Sequence, residues 1–193
     1  MDNFTFHREH LLAGDGERMA ELAGGRWQYP EICLPCLHDE LRINKNTGEI
    51  VPFLGNKDRA ALVYQYISEA VGIPGPGTEY IAFLQLPNGA HHNEPFRIDA
   101  LTPLSKCFGG DLRGFARAAA AFGGQPVKGG DMAFQFAYFP KVYLQVIIWE
   151  ADEEFPAQTG ILFDQKSQFH MDTAGLFSVG IDLAMRLIEE AGR

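Results

Sequence analysis

A chain of 193 residues is long enough to bury roughly 70% of the surface its unfolded form would expose, so a full core is available without disulfide or metal staples. Apolar residues at 46% and charged residues at 21% exclude a disordered or fibrous class. A formal charge of -9 with no basic run argues against nucleic acid as a partner, because that affinity comes largely from neutralising phosphates.

The opening MDNFTFHREHLLAGDG carries neither the basic nor the apolar part of a leader, and no stretch approaches the roughly 20 apolar residues of a membrane span. Cytoplasm is therefore the expected location, with no membrane partner. Three Cys residues, an odd number in a chain that needs no bridges, point to a reducing compartment.

In chain order, the polar start is followed by a short helix over 15–23. Ile32 to Asn44 is apolar and then alternating, and with the turn residues Lys45 to Gly48 and the apolar Ile50 to Phe53 it reads as a hairpin. Asn56 caps the next helix, where Leu62, Val63, Tyr66, Ile67, Ala70 and Val71 recur at three- and four-residue steps and Gly72 closes the pattern. GIPGPG (72–77) reads as a turn-rich connection inside one domain, so 1–193 is expected to form a single globular domain.

EYIAFLQL (79–86) is expected to be a strand. LPNG turns after it, with positive φ tolerated at Asn88. Thr102 and Pro103 open a helix that Gly109 ends, and Asp111 caps another with Leu112, Phe115, Ala119 and Phe122 inward and Gly123 as its stop. MAFQFAY (132–138) alternates as a strand does, VYLQVIIW (142–149) is a strand covered on both faces, and GILF is another. Asp172 caps a long last helix with Leu176, Val179, Leu183 and Leu187 on one face. The expected class is α+β, a mostly antiparallel sheet covered by helices.

The conspicuous chemistry is WEADEEFPAQTGILFD (149–164), with three consecutive acids, Asp152, Glu153 and Glu154. Hard cations want several oxygen ligands, and paired carboxylates can perform acid and base work. If 142–149 and 159–164 are antiparallel neighbours, residue 149 lies near 159 and residue 164 near 144. Asp164 is then roughly 17 Å from the triple acid at about 3.3 Å per residue, too far to share an ion. Asp164 reads as an Asx turn or cap. The triple acid reads either as a solvated turn with Phe155 tucked into the core and Pro156 fixing the exit, or as a ligand-binding loop of Trp149, Asp152, Glu153 and Glu154. An enzyme needs at least two of those carboxylates turned into a pocket.

Cys33, Cys36 and His38 spell C-x2-C-x-H, but Pro35 holds the chain extended, where positions i and i+3 face opposite ways. They read as buried strand cysteines. His91 and His92 read as an exposed polar pair, Cys107 has no histidine placed beside it, and no metal ligand or catalytic residue is assigned.

Taken together, LPCLHDELRINKNTGEIV, YIAFLQLPNG, PLSKCFGGDLRGFARAAAAFGG, GGDMAFQF and WEADEEFP with the following LFD resemble the bacterial and archaeal family catalogued as domain of unknown function 3786. Relatives of this kind often occur in anaerobes, some with an added iron-sulfur domain that is absent here. The resemblance implies no activity and no cofactor. It places Cys36, His38 and the His91/His92 pair outside the family pattern and the acidic element inside it, and it links the chain by association to an anaerobic redox or corrinoid pathway. The leading expectation is a cytoplasmic, non-catalytic accessory or small-molecule-binding domain. The rivals are a metal-assisted enzyme using Asp152, Glu153 or Glu154 beside a pocket that includes Trp149, and a protein–protein interaction module presenting an exposed apolar patch.

Overall fold

Short carboxylates and amides decide where the helices begin. In the computed structural model of the chain, which describes residues 2–52 and 54–192, Asp15 accepts from Arg18 N to start α2 (Gly16–Ala23). Asn56 accepts from Arg59 N to start α3 (Lys57–Glu69). Further along, Asp111 accepts from Gly114 N at α6 (Leu112–Ala121), and Asp172 from Gly175 N at α7 (Thr173–Ala191). Each cap satisfies an orphan first-turn donor, typically for about 1 kcal/mol.

The polar start is not bare. Asp2 caps α1 (Asn3–Ala13), which buries His7 and Leu11 and packs along α3. Its apolar residues Phe4, Phe6, Leu11, Leu12 and Ala13 do not gather on one face, so no stripe marks this helix in the sequence; tertiary burial forms it. Helix α3 ends at Glu69, short of Val71, because Ala70 leaves helical space at φ -57 and ψ 133.

The strands divide into two antiparallel sheets rather than one. The first runs β1 (Arg26–Gln28), β2 (Glu31–Cys36), β3 (Asp39–Asn44), β4 (Ile50–Val51). The expected hairpin across 45–48 forms, with Arg42 opposite Val51 and Ile43 opposite Ile50, but its first arm is two strands: 31–44 folds back on itself, with Cys36 opposite Asp39 and Glu31 opposite Asn44. Leu37 takes a positive φ of 54 in the turn, which gave no signal in sequence because Gly, Asn and Asp are the usual markers. Phe53, the last residue of that expected hairpin, lies outside the described residues.

The second sheet has the order β5-β9-β8-β7-β6, from β5 (Tyr80–Ala82), β6 (Gln125–Pro126), β7 (Met132–Phe139), β8 (Val142–Trp149) and β9 (Gln158–Asp164). The expected strand over 79–86 stops at Ala82, and Phe83–Gln85 coil into a 3-10 turn. In the β8–β9 ladder Trp149 faces Gln158 and Leu144 faces Phe163, one residue from the expected alignment.

Between β5 and β6 a helical run continues through α4 (Asn93–Phe96), a π turn (Arg97–Leu101) and α5 (Thr102–Phe108). Thr102 therefore lies inside the run instead of capping it: its N–H bonds to Arg97 O. The wider π turn ends just before Pro103, which has no N–H to continue the ladder.

Leu176, Val179, Leu183 and Leu187 of α7 are fully buried, each worth roughly 1.5–3 kcal/mol of apolar burial. They pack with Phe83, Phe96 and Phe163 in one core that also takes in Ile32, Leu34 and Leu41 of the first sheet. Helix α7 lies so close to Phe96 that a Cβ on Gly180 would come 2.6 Å from its ring. No helix among the described residues is long and apolar enough to cross a membrane.

Candidate functional site

The acidic loop faces solvent. Asp152, Glu153 and Glu154 are exposed. Asp152 Oδ1 accepts from Glu154 N at 2.8 Å and Phe155 N at 2.7 Å, a self-contained Asx turn. Phe155 is 61% exposed, so the expectation that it anchors in the core is corrected: the loop is held by the Asx turn and by hydrogen bonds at its ends, Glu150 N to Asp131 Oδ2, Ala151 N to Gly109 O and the Ser105 hydroxyl to Ala157 O. Trp149, 42% exposed, covers Gly160 on the neighbouring strand, where an added Cβ would sit 3.3 Å from its ring. None of these five residues lines the cavities described below.

Asp164 caps the following 3-10 turn by accepting from Lys166 N, and its other oxygen accepts from Gly77 N at 2.7 Å. It is wholly buried, because the 72–77 segment closes over it. Cys33 and Cys36 are buried in β2 as read, and burial pushes the Cys36 thiol up to about 12. His91 and His92 are exposed on a 3-10 turn. No group of three or more His, Cys, Asp or Glu suited to a metal occurs among the described residues.

A different set of residues meets in a cavity of about 380 Å³. Three helices each lend one stripe: Asn3 and His7 from α1, Arg59, Leu62 and Gln65 from α3, and Gly175, Ser178 and Asp182 from α7. Its size lies within the range of small-molecule sites. Helical spacing puts 59, 62 and 65, and likewise 175, 178 and 182, on common faces.

At one end, His7 is only 6% exposed. Its Nε2 lies 3.6 Å from Glu69 Oε1, and its Nδ1 is buried without a partner among the described residues. Gln65 donates to Asp172 Oδ1 at 2.9 Å and to Glu69 Oε2 at 3.2 Å, bridging two carboxylates. Burial, and then the charge of Asp172, push the Glu69 carboxyl above its ordinary value. Gly175 makes room here, since a Cβ would lie 2.7 Å from Gln65 Oε1.

At the other end Asp182 is the hub. Its Oδ1 accepts from Arg59 Nε at 2.6 Å, and its Oδ2 accepts from Arg186 Nε at 2.6 Å and from the Tyr138 hydroxyl at 2.7 Å. Burial alone would raise this carboxyl; Arg186 and the three hydrogen bonds outweigh it and hold the group below its usual range. Burial also drives the Tyr138 hydroxyl well above its ordinary value, so it remains a donor. Arg59 borders a further cavity of about 410 Å³ with Arg186, His38 and Glu189.

A second cavity of about 690 Å³ adjoins the first toward the start of α7 and shares Ala174 and Ser178 with it. It is more apolar in character, with Phe83, Pro87 and Phe177 on its walls beside His92, whose ring packs edge-on to Phe177. The cleft residues escaped notice in sequence, although two signals existed. Asp182 and Arg186 interrupt the apolar last helix at an i, i+4 step, and Gln65 falls within the apolar stripe of α3.

A family model described as Domain of unknown function (DUF3786) matches residues 15–186, a span that takes in Arg59, Gln65 and Asp182 and leaves out Asn3 and His7. No curated protein and no solved structure matches the chain.

Proposed function

Because the chain belongs to the family described as Domain of unknown function (DUF3786), whose description assigns no activity, we propose a function from the cleft itself: a cytoplasmic, non-catalytic small-molecule-binding protein, its site lying between α1, α3 and α7. The observation that carries this reading is His7, more than nine-tenths buried on the wall of the cleft with Nδ1 unpartnered among the described residues. A buried polar atom left unsatisfied costs roughly 1–3 kcal/mol, which a ligand atom placed against it would recover. The neighbouring carboxylates favour binding over proton transfer. Asp182 is held by three donors and Glu69 by Gln65, so both act as fixed acceptors. A core shared by both sheets supports reading 1–193 as one domain around this site.

The test is a ligand-observed NMR screen of soluble fragments against the protein and against Ser178→Trp. Ser178 is exposed, borders both cavities and bonds only to Ala174 O, so tryptophan there blocks the cleft from outside the core. Fragments whose signals change with the native protein and not with Ser178→Trp are expected. Hits indifferent to the substitution, or no hit at millimolar fragment, would overturn the reading.

A further inference from the structure

Resting on that reading of the cleft, we infer that its ligand is an organic amine with an apolar tail, the ammonium held by Gln65 and Asp172 and the tail lodged against Phe177. Gln65 is only 7% exposed and lines the cleft. Its Nε2 donates to Asp172 Oδ1 at 2.9 Å and to Glu69 Oε2 at 3.2 Å. This orientation of the amide is obligatory, because a carboxylate only accepts and the oxygen end could bond to neither. Gln65 Oε1 is therefore turned away from both, and no group among the described residues donates to it. Gly175 has no side chain to cover this oxygen; an added Cβ would lie 2.7 Å from it. A buried amide acceptor without a donor calls for an N–H or O–H from a ligand. Asp172 is the second acceptor: its Oδ1 takes Gln65 Nε2 and Gly175 N, while no bond to its Oδ2 occurs among the described residues.

Charge selects an ammonium over a neutral donor. Arg59 is the one Lys or Arg among the described residues that line the two adjoining cavities, and its charge is already matched. Its Nε bonds to Asp182 at 2.6 Å and its Nη2 pairs with Glu189 at 3.7 Å, while Arg186 shares Asp182. At the opposite end neither Glu69 nor Asp172 has a Lys or Arg within ion-pair distance among the described residues; Glu69 meets only His7 Nε2, at 3.6 Å. The start of α7 offsets roughly half a charge, so a negative excess remains. Its mark is on Glu69, whose carboxyl is pushed above its ordinary value by burial and then by the charge of Asp172. These two carboxylates, bridged by an amide, do not make a metal centre: no group of three or more His, Cys, Asp or Glu suited to one occurs among the described residues. The cation they fit is organic.

The place of the tail follows from Asp172. Gln65 lines the first cavity and Asp172 the second, and the two cavities also share Ala174 and Ser178. An ammonium held by this pair thus sits where the cavities meet. From there the second cavity offers Phe177, Phe83 and Pro87 as an apolar wall, suited to a short carbon chain that ends in a ring.

The probes are 3-phenylpropylamine, 3-phenylpropanol, 3-phenylpropionate and propylamine, titrated by NMR at pH 7 and low salt. The amine is expected to bind about tenfold tighter than the alcohol of the same shape, as one charge-assisted contact predicts, with the acid weaker than both. Propylamine, lacking the ring, is expected to lose at least about tenfold, in line with the burial of several carbons. Asp172→Asn keeps an acceptor for the helix cap and removes the charge, so it should bring the amine down to the alcohol while leaving the alcohol unchanged. If alcohol or acid binds in the Ser178→Trp-sensitive cleft as tightly as the amine, the ligand class is wrong and the cleft survives. If the amine shows no binding that Ser178→Trp abolishes, the assignment is overturned, and the fragment screen decides separately whether the cleft is a site. The ranking is read on the unmodified protein, so it does not depend on any variant folding.

Discussion

Arg59 and Asp182, 123 positions apart in the chain, meet at 2.6 Å between α3 and α7. The contact ties together two of the helices that wall the cleft. Asp182 is the more demanding partner, because its carboxylate also holds Arg186 and Tyr138.

Replacing Asp182 by Ala strands two guanidinium groups and a buried hydroxyl, and is expected to cost about 3–5 kcal/mol in urea unfolding at pH 7. The native carboxyl lies below its free value of 3.8, so the unfolded chain takes up the proton first. This stabilisation is complete above pH 3.8 and disappears as pH falls through the native value. An Asp182→Ala protein as stable as the parent would show the hub to be dispensable.

His170 is wholly buried, and its Nδ1 accepts from Val71 N at 3.3 Å. Burial, reinforced by Lys141, lowers it from 6.5 to about 4. Below pH 6.5 the unfolded chain binds a proton that the native ring refuses, so stability declines as pH drops from 6.5 toward 4. The decline attributable to this ring is on the order of 3 kcal/mol, and His170→Gln should flatten it. The melting temperature of both proteins between pH 7 and pH 4 is the measurement, and parallel curves would contradict the assignment.

Gly180→Ala places a methyl 2.6 Å from the Phe96 ring and 3.1 Å from Phe163, in a core where both rings are buried. Overpacking of this kind costs roughly 1–3 kcal/mol. Chemical denaturation should show a lower midpoint with unchanged slope; a gain in stability would mean that the rings have slack to move.

In the acidic loop, Glu153→Gln and Glu154→Gln are expected to shift stability by less than about 0.5 kcal/mol. Asp152→Ala, which removes the acceptor for Glu154 N and Phe155 N, should cost about 0.5–1.5 kcal/mol. Millimolar Mg²⁺ or Ca²⁺ should leave the melting temperature where it was; a rise of several degrees that Glu153→Gln and Glu154→Gln suppress would restore a cation-binding role.

Thiol labelling should single out Cys107. Cys33 and Cys36 are buried and the Cys36 thiol is pushed up to about 12 by burial. Cys107 is only partly buried, though burial raises it too. Under native conditions a disulfide reagent is expected to modify Cys107 slowly and the other two only upon unfolding. Rapid native modification of Cys36 would be incompatible with its place in β2.

Much of the architecture was written locally. Asn56, Asp111 and Asp172 announce their helices because a cap needs only its own next three residues, and Met132, Phe134, Phe136 and Tyr138 announce β7 because alternation is a property of the strand itself. Where local signals failed, a longer-range force had replaced them. Leu37 adopts positive φ without the usual turn residue, α1 forms although its sequence carries no apolar stripe, and Thr102, a capping residue by type, was absorbed into a helix that had started at Asn93.

The same division governs the site. The sequence by itself determined most of the helices and strands, the α+β class and the separation of Asp164 from the triple acid, since all of these follow from periodicity, caps and the length of a strand. It drew attention to Asp152, Glu153 and Glu154 because they are adjacent in the chain, yet adjacency in a turn leaves carboxylates in water. Only the tertiary structure decided that His7, Arg59, Gln65 and Asp182 share a cleft, because these residues lie on three helices and are brought together by the burial of the apolar faces behind them.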